Sequence, residues 1–223
     1  MSLRPLLSLA LAPALLLPCG APLAQTNSAA ASASGSSALP QDKHGGLTVS
    51  VDPYGDARRA KDEFGKTADP VPAGILAVDV YFKNETPHPI RVNLESVQLE
   101  VHFANGRHQD LDWLPIGQVA QMIRHPKGPS APSARRFPVG IPLPGKDKKA
   151  DEIVAQLRPV ALDSDVVPPL GAMHGFLFFD VSHDFTAVQK SSLYVPDVTL
   201  LPDQTPLMFF EVPLSKGGSS SLE

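Results

Sequence analysis

Proline occupies 24 of the 223 positions and glycine another 16. Proline fixes φ and removes a backbone donor wherever it sits, so its frequency excludes a bundle of long helices and favours short strands joined by turns. The only cysteine, Cys19, lies within an N-terminal export pattern. Met1 and Arg4 give a short positive start, Leu6 to Leu17 is an apolar run, and Pro18 to Ala24 is a small-residue exit of the kind a signal peptidase reads. That run is too short to span a bilayer. Residues 1–24 are therefore expected to be a signal peptide. A mature chain beginning at Gln25 has no cysteine and can form no disulfide even in an oxidising compartment, which leaves apolar burial as its source of stability. Leu16-Leu17-Pro18-Cys19 loosely resembles a lipobox, but Pro18 stands where a small residue is required, which argues against lipid anchoring through Cys19. The expected location is the periplasm or the cell exterior, with no transmembrane helix in the mature chain.

Charge is distributed unevenly. The whole chain carries −4. Between Arg124 and Lys149 there are seven basic residues against Asp147 alone, a local balance of +6, so the rest of the mature chain stands at −11. An acidic body with one basic stretch lacks the broad basic face of a nucleic-acid-binding protein. Arg135, Arg136, Lys146, Lys148 and Lys149 are instead candidates for contact with an anionic envelope surface or an acidic protein. The competing reading is a solvated loop.

The Ser/Ala-rich residues 25–45 are expected to be a disordered tether and 216–223 a disordered tail. Between them, 46–215 reads as one domain. Leu47, Val49 and Val51 alternate, as do Leu76, Val78, Val80 and Phe82; Ile90, Val92 and Leu94; and Val97, Leu99, Val101 and Phe103. On the second of these strands Ala77, Asp79, Tyr81 and Lys83 face the other way. Asn105-Gly106 signals a hairpin. A two-residue loop would place Asp110 and Asp112 on the core face. A three-residue loop, Ala104-Asn105-Gly106 with Gly106 left-handed, pairs Leu99 with Leu111 and Val97 with Trp113, and this register is expected. Residues 115–167 break the pattern, with short helices over Gln118 to Arg124 and Lys146 to Leu157. Gly175 to Val181 reads as a central strand buried on both faces, and Leu193 to Leu200 with Leu207 to Val212 as a closing pair. The fold class is all-β: an antiparallel immunoglobulin-like sandwich of about eight strands with a partly helical insertion.

The strand ending in Lys83-Asn84, the polar turn Glu85-Thr86-Pro87-His88-Pro89 and the returning Ile90-Arg91-Val92 carry a family resemblance, as does Pro168-Pro169-Leu170-Gly171 before Gly175 to Val181. These segments resemble the telokin-like, immunoglobulin-type domains of exported bacterial proteins. The resemblance covers 47–114 and 168–213 and leaves 115–167 unaccounted for. It implies a binding or structural role and brings no catalytic residues with it.

Candidate chemistry is sparse. His102, His108, Asp110 and Asp112 fall on one outward hairpin face, where three or four converging ligands could hold zinc; a solvated sheet face needs the same residue types. No Gly-x-Ser-x-Gly elbow, phosphate loop or dinucleotide fingerprint occurs. Ser182-His183-Asp184 are sequence neighbours whose side chains diverge. Phe176, Phe178, Phe179, Phe209 and Phe210 read as core, and Trp113 is expected under the insertion or between the sheets. The resulting expectation is an exported, non-enzymatic binding or interaction module with no cofactor and an unknown partner. The alternative is a secreted enzyme or metal-binding protein that uses the hairpin cluster.

Overall fold

The computed structural model describes residues 39–102, 106–126 and 147–215. The expected signal peptide, the tether as far as residue 38, the C-terminal tail, Arg135, Arg136 and Lys146 lie outside these residues. Within them are twelve strands: β1 Gln41–His44, β2 Leu47–Tyr54, β3 Ile75–Asn84, β4 Ile90–Val92, β5 Gln98–His102, β6 His108–Asp112, β7 Val166–Val167, β8 Ala172–Asp180, β9 Ser191–Val195, β10 Val198–Leu200, β11 Thr205–Pro206 and β12 Phe210–Pro213. Three helices accompany them, α1 Ala57–Ala68, α2 Ile116–Arg124 and α3 Lys148–Leu157.

The strands form three antiparallel sheets, in the orders β1-β2-β3-β8, β11-β10-β4-β7 and β12-β9-β5-β6. The first sheet is the middle layer. Its inner face supplies Val49, Val51, Val78, Val80, Phe82 and Phe179 to a core shared with Ile90, Leu99, Leu193, Val198 and Phe210 of the other two sheets. Its outer face supplies Ile75, Ala77, Phe176 and Phe178 to a second core beneath the helices. This two-sided burial explains a change of pattern along β3. From Ile75 to Val80 every residue is buried, and only beyond the helices does alternation return, with Tyr81 and Lys83 exposed.

Ala150, Ile153 and Leu157 form a narrow apolar stripe on α3, while α1, kinked at Gly65 (φ +73°), buries Ala60 and Phe64 before the kink and Ala68 after it. Asp56 caps α1 by accepting from the Arg59 amide at 2.9 Å, and Asp147 caps α3 by accepting from the Lys149 amide at 3.1 Å. The sequence reading confines helices to the 115–167 insertion, and α1 corrects it. Its Asp56 cap and Ala60/Phe64/Ala68 spacing were legible, but charged residues outnumber the apolar ones around them.

Three further differences concern pairing and exposure. Gln41–His44, expected to end the tether, pairs with β2 from Gln41 opposite Ser50 to His44 opposite Leu47. The strand read as central, β8, is buried on both faces but stands last in its sheet's order. Of the five phenylalanines read as core, Phe209 is 46% exposed. The hairpin register agrees with expectation: Leu99 faces Leu111, Glu100 faces Asp110, and Gly106 has φ +78°. Phe103, Ala104 and Asn105 lie outside the described residues.

Candidate functional site

Two crossings of the β8 edge build a groove. The chain leaving β6 passes β8 at Leu114, whose amide donates to the Phe178 carbonyl at 2.7 Å. The chain leaving α3 passes at Val160–Leu162: the Leu162 amide donates to the Phe176 carbonyl at 3.1 Å, and the Phe176 amide donates to the Val160 carbonyl at 2.9 Å. Gly175 permits the second crossing, because a Cβ there would lie 2.7 Å from Leu162 Cα. Between the crossings lies a cleft of about 290 Å³ lined by Leu114, Ile116, Leu162, Phe176 and Phe178, with Arg158 and Asp163 among its polar residues. Edge-on contacts from Phe64 at 4.8 Å and Tyr54 at 5.0 Å fix the Phe176 ring.

Trp113 belongs to this cleft and also to a second, more open one of about 550 Å³. The second is lined by Glu95, Ser96, Gln98, Asp112, Pro115 and Pro196 as well. The indole is held in place, since its Nε1–H donates to the Leu94 carbonyl at 2.8 Å. Asp112 Oδ1 accepts from Gln98 Nε2 at 2.9 Å, which orients the carboxylate. One half-buried tryptophan thus divides an apolar hollow from an acidic one. The hydrophobic pattern places Trp113 on the core side of its strand, but the apposition of the two hollows depends on chain crossings more than forty residues apart in sequence.

The hairpin candidates share a face, as expected, without gathering into a ligand set. His102 and His108 rings lie 4.7 Å apart, His108 Nε2 is 2.9 Å from Asp110 Oδ1, and Asp112 is engaged with Gln98. Among the described residues no group of three or more His, Cys, Asp or Glu side chains could hold a metal ion. Burial, followed by the Glu211 and Asp110 carboxylates, pushes Glu100 on this same face above the usual carboxylate range. Ser182, His183 and Asp184 do not converge. His183 Nε2 lies 3.3 Å from the Pro72 carbonyl, while Asp184 Oδ1 accepts from Thr186 Oγ1 at 2.6 Å. Lys148 and Lys149 are exposed on the first turn of α3.

A second polar cluster was not singled out from the sequence. Asp79, on the outer face of β3, is only 4% exposed. Its carboxylate beside the Tyr81 hydroxyl, reinforced by burial, pushes Tyr81 up to about 12. Among the described residues Asp79 Oδ1 has no hydrogen-bond donor; it lies 3.5 Å from His174 Nδ1, and the His174 ring stacks on Tyr81 at 4.9 Å. Across the sheet, Asp52 opposes Asp79. It pairs with Arg59 through two contacts, one of them 2.8 Å, and the guanidinium lies 3.9 Å from the centre of the Tyr54 ring. The cluster marks where the helical layer ends on the sheet, so alternation alone gave no sign that Asp79 would be covered.

Comparison with protein-family models, curated proteins and solved structures finds no match to this chain. No helix among the described residues is long and apolar enough to cross a membrane.

Proposed function

We propose that the chain is an exported, non-catalytic binding module of immunoglobulin-like type whose ligand site is the groove at Trp113. The observation that carries this reading is the junction of two clefts at one anchored indole: an apolar hollow floored by Phe176 and Phe178, and a polar one edged by Glu95 and Asp112. Such a pairing suits recognition, because apolar walls supply affinity and a few placed polar groups set orientation. Export is the reading of the N-terminal pattern Met1 to Ala24, and the immunoglobulin-like assignment rests on the resemblance in 47–114 and 168–213.

Amide chemical-shift mapping with indole as a neutral aromatic probe tests the site. Saturable shifts are expected to cluster on Leu114, Ile116, Ala161 and Phe176, and to be lost in Ile116→Asp. Scattered or absent shifts would remove the groove from consideration. Stoichiometric metal in purified protein would point instead to the His102/His108/Asp110/Asp112 hairpin.

A further inference from the structure

We infer that the groove takes an extended peptide segment carrying an apolar side chain next to basic residues, with the apolar side chain in the inner hollow and the basic ones between Glu95 and Asp112. The inference rests on the groove reading above and deepens it. A hollow of about 290 Å³ walled by Leu114, Ile116, Leu162, Phe176 and Phe178 is at the small end of ligand pockets and suits one bulky apolar side chain. Arg158 and Asp163 also line this hollow, but against the five apolar side chains a hydroxyl would lose water without gaining a partner.

The outer hollow has the opposite chemistry. Its lining holds two carboxylates, Glu95 and Asp112, with the Ser96 hydroxyl and the Gln98 amide, and no Lys or Arg. Pro115 and Pro196 add no backbone N–H donors, which suits a ligand that donates hydrogen bonds rather than one that accepts them. The acidic balance of the chain outside 124–149 adds longer-range attraction for a cationic partner. Both hollows include Trp113 and Pro115, so one segment can occupy them together by passing over the indole.

Trp113 is the only tryptophan in the sequence, which makes its fluorescence a direct reporter. The full chain is titrated with three capped pentapeptides, Lys-Lys-Pro-Phe-Ala, Glu-Glu-Pro-Phe-Ala and Lys-Lys-Pro-Ser-Ala. The first is expected to bind about tenfold more tightly than the Glu peptide, because two exposed charge pairs sum to about that factor, and about tenfold more tightly than the Ser peptide, because only a phenyl ring buries apolar surface in the inner hollow. Its advantage over the Glu peptide should shrink as salt rises. The double variant Glu95→Gln/Asp112→Asn, which keeps the oxygen that accepts from Gln98, should abolish the charge preference, with its unfolding midpoint showing that it is folded. Equal binding of the Lys and Glu peptides, a preference that survives in the double variant, or saturable binding of a neutral oligosaccharide with none of the peptides would overturn the inference. If indole binds and the peptides show no preference, this inference alone fails; if indole does not bind, the groove reading fails with it.

Discussion

Asn84 shows how much one side chain can hold. It is 1% exposed at the end of β3. Its Nδ2 donates to the His88 carbonyl at 2.7 Å and the Pro168 carbonyl at 3.1 Å, and its Oδ1 accepts from the Thr86 amide at 2.8 Å and hydroxyl at 2.7 Å. The polar turn after β3 and the segment leading into β8 therefore meet at this amide. Asn84→Ala leaves the part-buried Thr86 amide and the His88 and Pro168 carbonyls without this partner and is expected to cost about 3 kcal/mol, measured by denaturant unfolding. Glu100 calls for a different test. It faces Asp110 across the hairpin, and its folded-state pKa is raised by burial and then by Glu211. A raised carboxyl pKa means that ionisation opposes folding, so the penalty is absent below the ordinary Glu value and grows as pH rises through the folded one. Glu100→Gln should add about 0.5 kcal/mol at about pH 7, a typical size for relieving like charges across strands. The gain should vanish by about pH 3, where both states are protonated. A midpoint difference that does not vary with pH would refute the assignment.

At the scale of elements, β1 turns back on β2 through Gly45-Gly46, at φ +56° and +79°, but is anchored at a distance. Gln41–His44 has no apolar alternation, which is why the sequence assigns it to the tether. It pairs along β2, the His44 ring stacks on Phe210 with centroids 3.8 Å apart, and Asp42 Oδ2 accepts from the Glu211 amide at 3.1 Å. The element closes one edge between two sheets through partners about 170 positions away. Starting the chain at Leu39 should leave thermal stability unchanged. Starting it at Gly46 should cost about 2 kcal/mol, or roughly 4–8 °C in a domain of this size. Equal melting temperatures would mean that β1 contributes nothing. The hairpin of β5 and β6 is the opposite case, since Gly106 and the alternation on both strands specify its register locally.

At the scale of the whole molecule, the middle sheet couples two cores. Leu99 lies on the sandwich side and Leu157 on the helical side, both fully buried. Leu99→Ala and Leu157→Ala should each cost about 3 kcal/mol and should each lower one shared transition, because neither core can lose its wall of β3 and β8 without the other. Far-ultraviolet circular dichroism and Trp113 fluorescence should give coincident midpoints in both variants. Separate transitions for the helical layer and the sandwich would show that the layers unfold independently.

Local chemistry determined the strand-rich class, the inward faces of β2, β3 and β5, the hairpin register and the two helices after residue 115. Each depends on periodicity, a cap or a turn residue read within about a dozen positions. Tertiary structure alone decided the rest: the anchoring of Gln41–His44 against β12, the burial of Asp79, the terminal place of β8, and the groove. In each case the deciding partner is distant in sequence, and a short polar strand or a covered aspartate has no periodicity to disclose it. The groove exists because Gly175 lets Val160–Leu162 approach β8 while Leu114 anchors the other crossing. Trp113 was legible as a core-facing residue, and its place between an apolar and an acidic hollow was set by the crossings around it.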